Sequence, residues 1–211
     1  MAYGMLIDQK KCIGCHACSV ACKEAHGTPP AVTRSHVIRE IEGTYPNVRR
    51  NIVPTLCMHC ENAPCIAACA VEGATYKRED GIVMIDKEKC IGCKACIAAC
   101  PYGSRYYCES EQGYFGELNE YENVMYPIYM PHGTVDKCTF CVERVDGDGS
   151  PQACVAACPT NARYFGDLDD IKAKAEAEGG YQLLPEEGTN PSVWYIPCTV
   201  TEAGAASKPA E

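Results

Sequence analysis

The apolar pattern of this chain is short in range. Residues 37–41 and 48–53 are β-type runs separated by Gly43 and Pro46, and they predict a hairpin or a loop excursion. In the stretch GATYKREDGIVMID, polar residues 77–81 separate two apolar segments, which predicts two short strands around a turn. Near the N-terminus, Met5 and Ile7 lead through a turn at Asp8 into a run of cysteines. The stretch DLDDIKAKAEAEGG is built of strong helix formers and stops at Gly179 and Gly180, so it reads as a surface helix. Residues 193–196 add one more short strand, and residues 203–211 read as disordered.

Residues 103–137 follow no period. They hold Tyr106, Tyr107, Tyr114, Tyr121, Tyr126 and Tyr129 and are interrupted by Pro127, Pro131 and Gly133. The segment is expected to be irregular yet ordered, because disordered chains are poor in aromatics. Two readings stand: a loop folded onto its own surface, or a protein interface with Tyr114, Tyr121 and Tyr126 as anchors. No run of 18 apolar residues exists, so no membrane span is expected.

Cysteines fill the gaps between these elements. Cys12, Cys15, Cys18 and Cys22 form C-x2-C-x2-C-x3-C, and so do Cys90, Cys93, Cys96 and Cys100, followed by Pro101. This is the bacterial ferredoxin run. Three close thiolates take three corners of an iron–sulfur cube, and in two-cluster ferredoxins the fourth ligates the other cluster. Cys57, Cys60, Cys65 and Cys69 repeat the idea as C-x2-C-x4-C-x3-C; Cys138, Cys141, Cys154 and Cys158 repeat it as C-x2-C-x12-C-x3-C-P. A tetrahedral zinc site has no need of a third close cysteine. A disulfide scaffold would show dispersed cysteines behind a secretory signal, whereas these come in dense runs and the start MAYGMLIDQKK is too short and polar for such a signal. Sixteen of the eighteen cysteines fall into the four runs, the number that four all-cysteine [4Fe–4S] clusters need.

Charge sharpens the picture. The 211 residues carry a formal −9, which argues against nucleic acid as a partner. A [4Fe–4S] core with its four thiolates adds about −2, so four clusters would add about −8.

The runs are also related to one another. LIDQKKCIGCHACSVAC reappears 78 residues later as MIDKEKCIGCKACIAAC, which points to an internal duplication. Duplication alone would pair run one with two and run three with four. Linker length argues otherwise. Twenty residues join runs two and three, as in a ferredoxin, whereas residues 23–56 and 101–137 are long and irregular. Runs two and three then form a central ferredoxin, and runs one and four close a second around it.

The segments CMHCENAPC, CIGCKACIAACPYG, KCTFC, CPTNARYFGDLDD and PEEGTNPSVWYI resemble the four-cluster iron–sulfur subunits of molybdopterin oxidoreductases in the dimethyl sulfoxide reductase superfamily. TLCMHCENAPC with YKREDGIVMIDKEK is also similar to the small subunit of pyrogallol–phloroglucinol transhydroxylase. The resemblance implies an α+β fold of two pseudo-symmetric bacterial ferredoxin-like domains, one inserted in the other, with long loop excursions. The outer domain would comprise residues 1–51 with 135–170, the inner one residues 52–106, with a Tyr-rich insertion at 107–134 and a C-terminal helix, strand and tail at 171–211. It implies one cluster on Cys12, Cys15, Cys18 and Cys158, and a second on Cys138, Cys141, Cys154 and Cys22. A third falls to Cys57, Cys60, Cys65 and Cys100, and a fourth to Cys90, Cys93, Cys96 and Cys69. The implied role is a relay of single electrons to or from a larger catalytic subunit that holds the molybdopterin (bis-MGD), with a membrane quinol-oxidising anchor or a soluble carrier at the other end. The transhydroxylase likeness offers the alternative of a small subunit in a hydroxytransferase acting on an aromatic substrate without net electron flow. In the first case the chain is expected to be periplasmic or membrane-associated by co-export with its partner, in the second cytoplasmic.

No nucleophile–base pair, phosphate loop or paired-carboxylate pattern appears, so no catalytic centre is expected. Residues 146–150 resemble a calcium loop only weakly, lacking the spaced glutamate. His16, His59 and Lys94 lie inside ligand runs, where they would either tune potentials or remain solvated. Cys108 and Cys198 are left over and read as free buried thiols, and Trp194 as packed in the terminal strand. His26, His36 and His132 have no partner visible in the sequence.

Overall fold

Short elements alternate with cysteine loops along the whole chain. The computed structural model describes residues 1–109 and 112–198. It runs β1 (Tyr3–Asp8), α1 (Ala17–His26), β2 (Ser35–Thr44), β3 (Asn47–Leu56), α2 (Pro64–Ala67), β4 (Thr75–Lys77), β5 (Val83–Ile85), α3 (Ala95–Ala98) and β6 (Tyr106–Tyr107). The second half continues with α4 (Glu120–Tyr129), β7 (Val135–Asp136), α5 (Val142–Val145), α6 (Ala153–Ala156), β8 (Arg163–Asp167), α7 (Leu168–Ala177) and β9 (Val193–Ile196). The fold is α+β. The tail expected to be disordered, residues 203–211, lies outside the described residues.

Strand β1 is the middle of the largest sheet. It pairs antiparallel with β8 and parallel with β9. Both its faces are buried. Met5 and Ile7 enter the main core with Leu56, Phe140 and Tyr195, while Leu6 meets Ile171 and Ala175 of α7. A strand covered on both sides has no polar face to show, which is why Met5, Leu6 and Ile7 run on without alternation. Two smaller ladders join β4 to β5 and β6 to β7. Helix α1 packs against α6, and α2 against α3.

The expected hairpin is present as β2 and β3, paired in register from Ser35↔Leu56 to Thr44↔Asn47. It is longer than its apolar runs because its outer half is polar and exposed; Tyr45 at the tip is 89% accessible. The strands around residues 77–81, the helix ending before Gly179 and the strand at Val193–Ile196 all form as the sequence predicts.

The Tyr-rich insertion corrects the sequence reading in one respect. It is not irregular throughout, since α4 occupies its centre. A reciprocal cap starts that helix, with the Asn119 side chain accepting from the Glu122 amide and Glu122 accepting from the Asn119 amide. Pro127 sits inside the last turn, where only its own missing N–H is lost, and the Met130 amide still donates to the Tyr126 carbonyl at 2.8 Å. The tyrosines, moreover, bind their own chain. Tyr126 is buried, the Tyr114 hydroxyl donates to the Thr28 carbonyl at 3.0 Å, and Tyr121 donates to the Glu24 carbonyl. These contacts fit a segment folded onto its own surface, while Tyr114 and Tyr121 remain 49% and 50% exposed. The β6–β7 ladder closes its base.

A buried ion pair ties this base to the hairpin. Arg34, just ahead of β2, meets Asp136 of β7 with Nε–Oδ2 at 2.5 Å and Nη2–Oδ1 at 2.9 Å, both side chains 2% exposed. Lys87 adds a third contact to Asp136 at 2.8 Å. Among the described residues no helix is long and apolar enough to cross a membrane.

Candidate iron–sulfur centres

All four cysteine runs fold through the same local device. The second residue between the first two cysteines is left-handed in each: Gly14 (φ 68°), His59 (φ 45°), Gly92 (φ 65°) and Phe140 (φ 54°). This curls the loop around the space the thiols share; the Phe140 amide, for example, donates to Cys138 Sγ at 3.4 Å. Helices then carry the later cysteines. Cys18 and Cys22 lie on α1, Cys65 on α2, Cys96 on α3 and Cys154 on α6, while Cys69, Cys100 and Cys158 follow just beyond their helices.

The two glycines make a direct test. A methyl on Gly92 would overlap the Gly133 carbonyl oxygen, whereas on Gly14 its nearest neighbour is the flexible Arg39 Nε at 3.2 Å. Gly14→Ala is expected to cost about 1–2 kcal/mol for the left-handed backbone, and Gly92→Ala about 2–4 kcal/mol once the overlap is added. Thermal melting and iron retention of the two variants check the order.

At the equivalent positions of the other runs, His59 and Phe140 stack on one another with centroids 3.8 Å apart and planes inclined by 23°. His59 is buried rather than solvated. Its Nδ1 accepts the Val83 amide at 3.0 Å, and burial drives its pKa well below the usual histidine value, so it is neutral.

The fold sorts the sixteen cysteines into four groups. Cys12, Cys15, Cys18 and Cys158 line one small cavity, and Cys69, Cys90, Cys93 and Cys96 line a second. Cys60 has Cys57, Cys65 and Cys100 as its thiol neighbours, and Cys138 has Cys22, Cys141 and Cys154. Burial pushes the Cys22 and Cys60 thiols up to about 12 and Cys141 up to about 11. Cys69 and Cys158 go the other way. Burial alone would raise them, but hydrogen bonds from backbone N–H groups and the Thr75 and Thr160 hydroxyls together outweigh it; the Ala162 amide donates to Cys158 Sγ at 3.2 Å. Buried thiols that cannot ionise alone become stable as thiolates when a metal core neutralises them.

Buried cations, which the sequence reading missed, complete the fit. Arg105 and Arg163 are each 3% exposed, and neither meets a carboxylate among the described residues. Arg105 Nη2 donates to Cys65 Sγ at 3.0 Å, and its Nη1 has no partner. Arg163 lines the Cys12 cavity with both terminal nitrogens unpaired. Lys137 is 1% exposed and donates to the carbonyls of Val83 and Cys138; burial lowers its pKa, and the neighbouring thiols of Cys57 and Cys138 oppose that fall. Leaving such groups buried without an anion costs several kcal/mol per charge. The donor set therefore fits anionic iron–sulfur cores, which supply reversible one-electron chemistry when bound. A sequence signal for the arginines does exist: C-P-x-x-x-R follows both run three and run four, at Cys100–Arg105 and Cys158–Arg163.

Other side chains singled out in the sequence have their own contacts, and His16 and Lys94 line the Cys12 and Cys90 cavities. Lys94 lies over the Tyr107 ring at 3.9 Å and meets Glu109, while His16 opens α1 in a left-handed conformation. His26 Nε2 is 3.0 Å from Glu143, His36 is 2.6 Å from the Thr55 hydroxyl, and His132 is 3.2 Å from the Glu109 carbonyl. The Cys108 thiol is buried as expected and donates to the Met130 carbonyl, whereas Cys198 is exposed rather than buried, because it lies beyond the last strand. Asp146 is engaged by Arg78, and Trp194 packs beside Leu6 and Ile196.

Comparison with known proteins bears on this arrangement. Two family models described as 4Fe-4S dicluster domains match residues 48–115 and 82–159, and a 4Fe-4S binding domain model matches residues 3–24. The chain is 43% identical to a putative dimethyl sulfoxide reductase iron–sulfur subunit of Halobacterium salinarum, over 92% of this chain and 78% of the relative. It is 39% identical to the arsenate respiratory reductase iron–sulfur subunit of Shewanella sp. strain ANA-3, over 93% and 96% respectively. Identity to a subunit of the selenate reductase of Mesobacillus selenatarsenatis is 44%, over 91% and 70%. With its cysteine groups, its α+β fold and these relatives, the chain belongs to the ferredoxin-type iron–sulfur electron-transfer subunits of the molybdopterin oxidoreductases in the dimethyl sulfoxide reductase superfamily.

Proposed function

We propose that this chain conducts single electrons through four [4Fe–4S] clusters, in two interleaved ferredoxin-like units, to or from a larger catalytic subunit that holds the molybdopterin. The outer unit uses Cys12, Cys15, Cys18 and Cys158 for one cluster and Cys138, Cys141, Cys154 and Cys22 for the other. The inner unit uses Cys57, Cys60, Cys65 with Cys100, and Cys90, Cys93, Cys96 with Cys69. The pairing of β1 with β8 and the packing of α1 on α6 support the outer unit; the β4–β5 ladder and the packing of α2 on α3 support the inner one.

The observation that carries the reading is where the sixteen thiols meet solvent. Only Cys15 and Cys93 are exposed among them, and each belongs to a different group. The Cys12 and Cys90 groups are then the two ends of a row whose middle is covered. Ile13 and Ile91, beside them, are 62% and 67% exposed, giving each end an apolar contact. One end suits the catalytic subunit, the other a membrane quinol-oxidising anchor or a soluble carrier. The relatives are named for dimethyl sulfoxide, arsenate and selenate reduction. Substrate choice accordingly rests with the catalytic subunit, while this chain positions the clusters and sets their potentials.

Purified anaerobically with its partner, the chain is expected to hold about sixteen iron and about sixteen sulfide. In stopped-flow mixing with the partner's substrate, the reduced clusters are expected to reoxidise at the rate of turnover. Zinc without sulfide would overturn the cluster reading. Full iron with clusters silent during turnover would overturn the conducting role.

A further inference from the structure

Arg105 and Arg163 occupy the same place in two copies of one local structure. Each is the fifth residue after the last cysteine of its run, reached through a proline and a left-handed residue, Gly103 (φ 58°) or Asn161 (φ 50°). A backbone hydrogen bond back to the cysteine carbonyl closes each turn, Gly103 to Cys100 and Asn161 to Cys158. Each arginine then enters or precedes a short strand, Arg163 opening β8 and Arg105 preceding β6. At the corresponding positions of runs one and two stand Gly27 and Ala74. There is thus one arginine for each pair of runs.

Their surroundings match as well. Arg105 donates to Cys65, and the Cys57 and Cys96 thiols lie in its field. Arg163 has the Cys154 and Cys18 thiols in its field and lines the cavity of the Cys12 group with both terminal nitrogens unpaired. Each guanidinium therefore lies in the field of the third cysteine of both runs in its pair: Cys65 and Cys96 for one, Cys18 and Cys154 for the other. It stands between the two groups of one unit rather than beside either. Lys137 takes the corresponding position at the junction of the units, between Cys57 and Cys138. Lysine precedes the first cysteine of three runs, at Lys11, Lys89 and Lys137, but only Lys137 is turned inward. Lys11 and Lys89 pair with Asp8 and Asp86 at the surface.

Building on the cluster reading above, we propose that Arg105 and Arg163 are counter-cations wedged between the two clusters of each unit. Each holds up the reduction potentials of both its neighbours and screens the charge of one reduced cluster from the other. Adjacent clusters in a buried row repel more strongly with each electron added, because the interior screens charge poorly. A fixed cation between them favours the reduced, more negative state of both. Arginine suits the place because it keeps its charge when buried, and its fork can donate to sulfur on two sides. These are positioning residues, since the electron resides on the clusters.

The test uses Arg163→Gln and Arg163→Lys in the complete complex, with iron and sulfide counts, followed by redox titration monitored by electron paramagnetic resonance. The counts test the cluster reading, and the potentials test this proposal. In Arg163→Gln the reduction equilibria of the two outer-unit clusters are expected to fall at least about tenfold, which is 59 mV for one electron. The inner-unit clusters should shift much less, and Arg163→Lys should restore most of the change. Arg105→Gln should do the reverse, shifting the inner pair. A glutamine variant that cannot load the outer clusters beside a lysine variant that loads them at native potentials would equally show that the charge is required. Full iron in Arg163→Gln with unshifted potentials would overturn the proposal. So would an equal shift of all four clusters, or a lysine variant that fails as glutamine does.

Discussion

A chain carrying Cys22→Ser is expected to lose the cluster of Cys138, Cys141 and Cys154 while keeping that of Cys12, Cys15 and Cys18. Cys22 belongs to run one by sequence, but it lies a helical turn beyond Cys18 on α1, and the thiols around it are Cys154 and Cys141 of run four. The site is desolvated enough to push the thiol up to about 12, so a serine hydroxyl there, far harder to ionise, would not serve as a ligand. Anaerobic iron analysis and the spectrum of the reduced protein read the result. Cys18→Ser is the control, and it should strike the Cys12 cluster instead. A Cys22 variant that loses the Cys12 signal and keeps the run-four signal would refute the crossed ligation.

Asp136→Ala is expected to be the most destabilising single change outside the ligands. It would strip both Arg34 and Lys87 of their buried carboxylate. Removing one partner of a buried pair costs about 3–5 kcal/mol, because the other charge is left uncompensated. At roughly 2–4 °C per kcal/mol for a chain of this size, melting should fall by about 10 °C. Replacing both partners with apolar residues, Arg34→Met with Asp136→Leu, should recover much of the loss. The pH dependence has a definite sign. Burial alone would raise the Asp136 pKa, but Arg34 and Lys87 outweigh it and hold it below the ordinary value. Its contribution is therefore present above the unfolded carboxylate pKa, about 3.9, and disappears as pH falls through the lower folded value. Calorimetry of wild type and Asp136→Ala between pH 7 and acid should show the gap closing in that direction. A constant gap would mean that Asp136 acts through shape alone.

The chemistry was legible in the sequence because cluster ligation depends on spacing within short runs. C-x2-C-x2-C-x3-C reports three ligands and a turned-away fourth without reference to the rest of the chain. Hairpin, strands and terminal helix were legible for the same reason, each being set by a local apolar or turn pattern. What escaped was tertiary. Helix α4 was hidden because Pro127 reads as a breaker, while its actual signal, Asn119 with Glu122, is one cap among six tyrosines. The tyrosines read equally well as partner anchors, since nothing local says whose surface they meet. Arg105, Lys137 and Arg163 were invisible as a set because a buried cation looks like any surface arginine or lysine until the fold removes its water.

Strand β1 also governs the order in which the molecule can be completed. It precedes its two neighbours by most of the chain, since β8 and β9 begin only at residues 163 and 193. The middle strand of the largest sheet thus waits, unpaired, while nearly all of the fold is made. Cys12, Cys15 and Cys18 wait with it, since Cys158 comes late as well. The β4–β5 ladder and the helices α2 and α3 face no such delay, because they are contiguous in sequence. Long-range pairings of this kind form slowly, so the β1 sheet is expected to close after the inner ladder, as a clasp that shuts only once β9 has been made.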